Sequence, residues 1–256
     1  MNDDELYRQG VMYLENKEYD KAVKLFDKIL EKKIDIKALN KKGEALRKLK
    51  KFDEALECHE KAISLDPEYA ESWYYKGYIQ FLKRDFENAH KTLDKAIELN
   101  SQLIDAWLTK AYMFYIIRKY DDALECYDKA LEINKNEIQA WYYKGLIYLR
   151  QKKNEEALKC FNEALNIDEN NAAILNNKGL ALANLERYED AILYFDRVLK
   201  IKPDHINALY NKGLALSNLN RFQEAFEILN KVLEINPKFT PATRAIVKIL
   251  KELKGS

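Results

Sequence analysis

Residues 70–103 read AESWYYKGYIQFLKRDFENAHKTLDKAIELNSQL, and the spacing within this stretch decides the fold. Between Ala70 and Phe81, Trp73, Gly77 and Gln80 recur at i, i+4 and i+7, which is one face of a helix. Lys83-Arg84-Asp85 interrupts the pattern, and Phe86, Ala89, Leu93, Ala96 and Ile97 resume it up to Leu99. The reading is two antiparallel helices joined by a short turn. Gly77 and Ala89 are small so that the paired axes approach closely, while Trp73, Phe86 and Leu93 fill the space around them.

Working outward, the same unit recurs along the chain. A small residue stands at Gly10, Gly43, Gly77, Ala111, Gly145, Gly179 and Gly213, with a first step of 33 residues and later steps of 34. Twelve residues after each comes an alanine: Ala22, Ala55, Ala89, Ala123, Ala157, Ala191 and Ala225. A fixed period of this length marks a solenoid, in which each repeat buries its apolar face against its neighbours. Basic turns (Lys50-Lys51, Lys119, Lys152-Lys153, Arg187, Arg221) suit helix C-termini, and acidic starts (Asp53-Glu54, Asp121-Asp122, Glu155-Glu156, Glu189-Asp190) suit N-termini. Pro67, Pro203 and Pro237 stand between repeats, where a helix must stop. The expected organisation is one all-α solenoid over 1–256, with repeats 3–35, 36–69, 70–103, 104–137, 138–171, 172–205 and 206–239. A capping helix over 240–254 then turns Ile246, Val247, Ile249, Leu250 and Leu253 inward.

Composition narrows the function. With 43 basic and 42 acidic residues the net charge is about +1, which argues against a general nucleic-acid or anionic-membrane binder. No segment approaches a membrane span, and the acidic start Met1-Asn-Asp-Asp-Glu5 is unlike a signal peptide, so a soluble cytoplasmic protein is expected. Cys58, Cys126 and Cys160 share one place in the repeat with Leu25, Thr92, Tyr194 and Ile228, a packing position. His59, His90 and His205 fall at three different offsets, so no metal pair is spaced for ligation. The glycines are single and helical, and no nucleophile can be set beside a histidine. No metal, no cofactor and no enzymatic activity are expected.

At these residues the chain resembles the tetratricopeptide repeat. Trp73-Gly77-Phe86-Ala89-Ala96, Trp141-Gly145-Tyr148-Ala157-Phe161-Ala164 and Leu209-Gly213-Phe222-Ala225-Pro237 carry the pattern, and the likeness covers residues 3–239. Ala111 replaces the glycine in the fourth repeat, Asn154 replaces the aromatic that opens the fifth repeat's second helix, and the first repeat is one residue short. The resemblance implies an α-α superhelix, right-handed, with a concave groove lined by first helices.

By that resemblance the groove-facing positions are Lys37, Asn40, Lys41, Glu44, Arg47 and Lys48 in the second repeat. The third to fifth repeats supply Tyr74, Tyr75, Tyr78, Phe81, Tyr112, Tyr115, Tyr142 and Tyr143, with Leu108 and Leu146. The sixth and seventh supply Asn176, Asn177, Asn184, Asn207, Asn211 and Asn218, with Tyr210. Tyrosine gives rigid contact area with one polar tip, and asparagine pairs with the main chain of an extended peptide whatever its sequence. Asn177 and Asn211 also match a similar asparagine row in O-linked N-acetylglucosamine transferases. The lysine–asparagine pair that clamps chaperone C-terminal tails in one subfamily has no match in any repeat.

The implied function is a non-catalytic scaffold that holds a peptide or helix of another protein, with Tyr75, Tyr112 and Tyr143 as anchors. The alternative is self-assembly, with a second copy of the chain as partner. A lysine precedes the small residue in six repeats (Lys42, Lys76, Lys110, Lys144, Lys178, Lys212) and reads either as a ladder for acidic ligands or as a stem covering apolar surface between repeats.

Overall fold

The computed structural model describes residues 2–255, the last two by backbone alone, and divides into two compact units, Met1–Ile133 and Asn134–Ser256. Met1 and Ser256, the first and last residues of the expected solenoid, lie outside the described residues. The first unit holds α1 (Asp3–Glu15), α2 (Tyr19–Leu30), α3 (Ile36–Lys48), α4 (Phe52–Leu65), α5 (Ala70–Leu82), α6 (Phe86–Leu99), α7 (Ile104–Ile116) and α8 (Tyr120–Ile133). The second holds α9 (Ile138–Arg150), α10 (Asn154–Ile167), α11 (Ala172–Asn184), α12 (Tyr188–Ile201), α13 (Ile206–Asn218), α14 (Phe222–Ile235) and α15 (Thr240–Gly255). The described residues contain no strand. Each sequence repeat is one helix pair, and in the first repeat, one residue short, α2 has 12 residues against 14 in α4 while the linker that follows is one residue longer.

The small positions are small because a ring or a leucine of the paired helix lies against them. A Cβ built on Gly43 would stand 2.5 Å from the His59 ring, and one on Gly145 would stand 2.4 Å from that of Phe161. The seven alanines are fully buried, so the second helix presses its backbone against its partner in every repeat. Packing at this distance leaves room for one large filler per repeat, sixteen residues after the small position: Phe26, His59, Leu93, Tyr127, Phe161, Phe195 and Leu229.

One turn recurs between the paired helices. Lys17, Lys50, Arg84, Arg118, Lys152, Glu186 and Asn220 all have φ near +60°, from 58° to 63°. At the second repeat Lys50 N donates to Arg47 O and Lys51 N to Leu46 O, both at 2.9 Å, and the other six turns repeat this double bond. This is a Schellman ending, in which a left-handed residue closes the last helical turn and reverses the chain.

Between repeats, the lysine ladder reaches back to the second helix of the preceding repeat. Lys42 pairs with Asp27 at 2.6 Å, Lys76 with Glu60 at 2.9 Å, Lys110 with Asp94 at 2.5 Å and Lys212 with Asp196 at 2.6 Å. Burial opposes the charge on Lys42, but the bond to Asp27 and its field more than offset this and hold the pKa above the ordinary value. Where the preceding helix offers Asn162 at the acid's position, Lys178 lies over the Tyr194 ring at 4.2 Å. The first repeat has no described helix before it and carries Gln9 at the ladder position. The indoles make a second tie: Trp73, Trp107 and Trp141 donate from Nε1 to the carbonyls of Pro67, Ser101 and Lys135 in the preceding linkers, at 2.8–3.0 Å. They are therefore partly buried clamps on the linker rather than pure core.

The capping helix α15 departs from expectation. Ala242, Ile246 and Ile249 are buried at i, i+4 and i+7, whereas Val247, Leu250 and Leu253 are 39–48% exposed. Five apolar residues span too wide an arc for a helix that packs on one side only, against α13 and α14. Val247 occupies the eighth small-residue position, the place where a second helix would press.

Candidate functional site

Within each unit successive first helices touch: α1 with α3, α3 with α5 and α5 with α7, then α9 with α11, α11 with α13 and α13 with α15. Among the described residues no two second helices bring their backbones this close. Each unit therefore curves with its first helices on the inner side, and the residues singled out from sequence lie on these helices.

In the first unit the aromatic residues form one unbroken run. Centroid distances are 5.2 Å from His59 to Tyr75, 5.0 Å from Tyr75 to Tyr74, 6.0 Å to Tyr78 and 6.2 Å to Phe81. The run continues from Phe81 to Tyr112 at 5.9 Å, to Tyr115 at 6.2 Å and to Tyr120 at 6.2 Å. Tyr78, Phe81, Tyr112 and Tyr115 are partly exposed. Tyr74 and Tyr75 are more committed inward. Burial, then the charge of Asp105, pushes the Tyr74 phenol up, against a hydrogen bond with Thr109; burial, then Glu44, raises that of Tyr75. Two of the basic neighbours are also engaged, Lys41 with Glu44 at 2.8 Å and Arg47 over the Tyr78 ring at 4.9 Å. Leu108, read as groove-facing, is buried at 7% exposure because α7 turns that side into the repeat core.

Beneath this run lies a polar cluster that sequence reasoning missed. Asn40, also read as groove-facing, is buried, and its Oδ1 stands 2.8 Å from His59 Nδ1 while its Nδ2 donates to Ser72 Oγ at 2.8 Å. The acceptor on Asn40 requires His59 to carry its proton on Nδ1. Burial, with the Arg47 charge adding to it, pushes the His59 pKa down to about 3, so the imidazole is neutral at ordinary pH. The signal available was register, since His59 occupies the filler position that holds Phe, Leu or Tyr elsewhere.

In the second unit Tyr142 and Tyr143 meet edge-on at 5.3 Å, and Tyr142 lies 6.4 Å from the core ring of Phe161. Asn177 donates from Nδ2 to Tyr142 Oη at 3.3 Å and to Ala173 O at 2.9 Å, which leaves its Oδ1 to accept. Asn176 turns its Oδ1 inward, where it is buried with no hydrogen-bond partner. Tyr210 packs edge-on against Phe239 at 5.3 Å, Asn211 is half-buried beside it in sequence, and Asn218 bonds back to Leu214 O. The sequence-read residues thus form two sets, an aromatic run on α5 and α7 and an amide–phenol pair on α9 and α11. Among the described residues no three His, Cys, Asp or Glu side chains come together as for a metal, and no helix is long and apolar enough to cross a membrane.

Tetratricopeptide repeat profiles match residues 6–32, 36–69, 138–171 and 170–238, and a TPR repeat profile matches 111–152, together more than half of the chain. A profile described as anaphase-promoting complex, cyclosome, subunit 3 matches 54–130. No curated protein matches the chain. Among solved structures, YrrB, described as a TPR protein with an unusual peptide-binding site, is 25% identical with a TM-score of 0.67 over 73% of this chain and 96% of its own. MamA is 27% identical, with a TM-score of 0.55 over 62% of this chain and 94% of its own. The C-terminal part of a TPR repeat-containing protein from Cytophaga hutchinsonii shares 18% identity, with a TM-score of 0.75 over 94% of this chain and 99% of its own, a likeness of fold: the all-α helical-repeat superhelix. The helix pairs, their small-residue contacts and these matches agree: the chain belongs to the tetratricopeptide repeat family, whose members are protein-interaction scaffolds.

Proposed function

We propose that the chain holds an extended segment of a partner protein along the inner side of its first helices. The observation that carries this reading is the run of rings from Tyr74 through Tyr78, Phe81 and Tyr112 to Tyr115, partly exposed and each in contact with the next. Rigid rings present contact area at little entropic cost, and each phenol adds one hydrogen bond. In the second unit Asn177 is pre-oriented by Tyr142 and Ala173, so its free Oδ1 accepts from a peptide N–H without reorganising. YrrB, similar over most of its length, is described as having a peptide-binding site, which supports the same class of ligand.

A photo-crosslinking amino acid placed at Tyr115, and separately at the outward Lys91, tests this in cells. Crosslinks from position 115 to a different protein, with none from position 91, are the expected result. Crosslinks from both positions alike, or from neither, overturn it.

A second reading, self-association, rests on the exposed Val247 and Leu250 of α15. A solution mass that stays near one chain at high concentration removes it.

A further inference from the structure

The seven repeats are controls for one another, and the outer side of α12 breaks their pattern twice. Fourteen residues after the small position the chain carries Lys24, Glu57, Lys91, Glu125, Lys159 and Glu227, but Leu193 in the sixth repeat. All seven are exposed, and Leu193, at 63%, exceeds every other large apolar side chain described. It belongs to neither of the core clusters described for its unit. Seven residues further on, the series is Glu31, Ser64, Glu98, Glu132, Asn166 and Glu234, but Lys200 in the sixth repeat. Leu193, Arg197 and Lys200 follow at i, i+4 and i+7, so the two departures share one face.

That face borders a groove of about 610 Å³, lined by Leu193 and Ile228 together with Arg197, Lys200 and Lys231. Arg197 is held in place by a 2.7 Å bond to Glu169 O. The one carboxylate among the lining residues, Asp196, is already bonded to Lys212 at 2.6 Å. An exposed leucine where six sister repeats keep a charge, beside a lysine where they keep none or a negative one, builds an apolar spot under uncompensated positive charge.

We infer that this outer groove is a second docking site, distinct from the inner side, and that it takes an acidic peptide segment bearing one large apolar side chain. The apolar side chain covers Leu193 and Ile228, and the carboxylates meet Lys200 and Lys231. Charge of this kind steers and selects the partner, while the covered leucine supplies the hold.

The test is to pan a displayed library of random twelve-residue peptides against the full chain and to compare retention on Leu193→Lys, a residue type that sister repeats already carry there. A Tyr112→Ala/Tyr115→Ala variant separates this site from the inner one. The expected pool is net acidic with a Leu, Ile, Phe, Met or Trp. It is retained at least tenfold less by Leu193→Lys, keeps its hold on the tyrosine variant, and weakens as salt rises. A pool without net negative charge, equal retention by Leu193→Lys, loss on the tyrosine variant alone, or no enrichment overturns the assignment. So does a concentration-dependent solution mass abolished by Leu193→Lys, which makes a second copy the occupant.

Discussion

The second and sixth repeats place the same residue at the same point and complete it differently. Asn40 and Asn176 each stand three residues before their repeat's glycine, and the filler stands sixteen residues after it. In the second repeat the filler is His59, which donates to Asn40 Oδ1 while Asn40 donates to Ser72, so the buried amide uses both ends. In the sixth the filler is Phe195, position 208 is alanine where the second repeat's partner is Ser72, and Asn176 Oδ1 is left buried without a donor. Both pairs keep the same turn and the same close helix contact. The backbone is therefore set by the small residues and the turn, and the filler decides only how the interior is satisfied. A polar cluster and an aromatic ring are both workable, and each leaves one buried acceptor without a donor, His59 Nε2 in the second repeat and Asn176 Oδ1 in the sixth, at a cost of about 1–3 kcal/mol apiece.

The largest expected difference between the two is pH dependence. Folded His59 stays neutral down to a pKa of about 3, whereas an unfolded histidine titrates near 6.5. As pH falls, the unfolded chain binds the proton first. The stabilisation from neutral His59 is thus complete above about pH 6.5 and lost between there and about pH 3, at about 1.4 kcal/mol per pH unit, roughly 3–5 kcal/mol in all. Amide hydrogen exchange, corrected for its intrinsic pH dependence, should show α4 losing opening free energy over this window in excess of α12. In Asn40→Leu/His59→Phe/Ser72→Ala the excess should vanish, and an excess that survives this replacement would place its origin elsewhere.

Next in size is one substitution with opposite signs. Asn40→Leu strands His59 Nδ1–H and removes the donor to Ser72, so it should destabilise α3 and α4 by about 2–4 kcal/mol. Asn176→Leu removes an orphan and adds apolar contact with Phe195, so it should stabilise α11 and α12 by about 1 kcal/mol. Leucine is already native at this place as Leu108, which makes the shape acceptable. Equal signs in the two repeats, read by local hydrogen exchange, would break the comparison.

How much of this was legible depends on whether the signal lay in residue type or in register. The helix pairs and the close contacts at glycine and alanine were readable because they recur at one spacing. The ladder lysines were readable as a series, but their partners were not, because Asp27, Glu60, Asp94 and Asp196 lie on the second helix of the preceding repeat. His59 and Leu193 were missed although the sequence held the information. Compared by type they are one of three histidines and one of many leucines; compared by register, each stands alone in its column. The inward half of Tyr74 and Tyr75 was not readable, since it depends on which ring of a neighbouring helix each one meets. The same holds for Leu108 and for the exposed stripe of α15.

The smallest effect should not distinguish the two repeats at all, and that makes it a control. Lys50 and Glu186 occupy the left-handed position of their turns, at φ of 62° and 61°. Turn chemistry normally marks this place with glycine, and its absence from all seven turns hid the motif from a reading by residue type. A side chain there works against its own Cβ, while the double hydrogen bond holds the backbone in place. Lys50→Gly and Glu186→Gly should each relieve that strain. The greater freedom of unfolded glycine offsets part of the gain, leaving about 0.5–1 kcal/mol of added stability at both sites. If local hydrogen exchange shows the gain in one repeat and not the other, the two backbones are not equivalent, and the differences assigned to His59 and Phe195 must be shared with the turns. Equal gains leave the filler as the place where the repeats diverge.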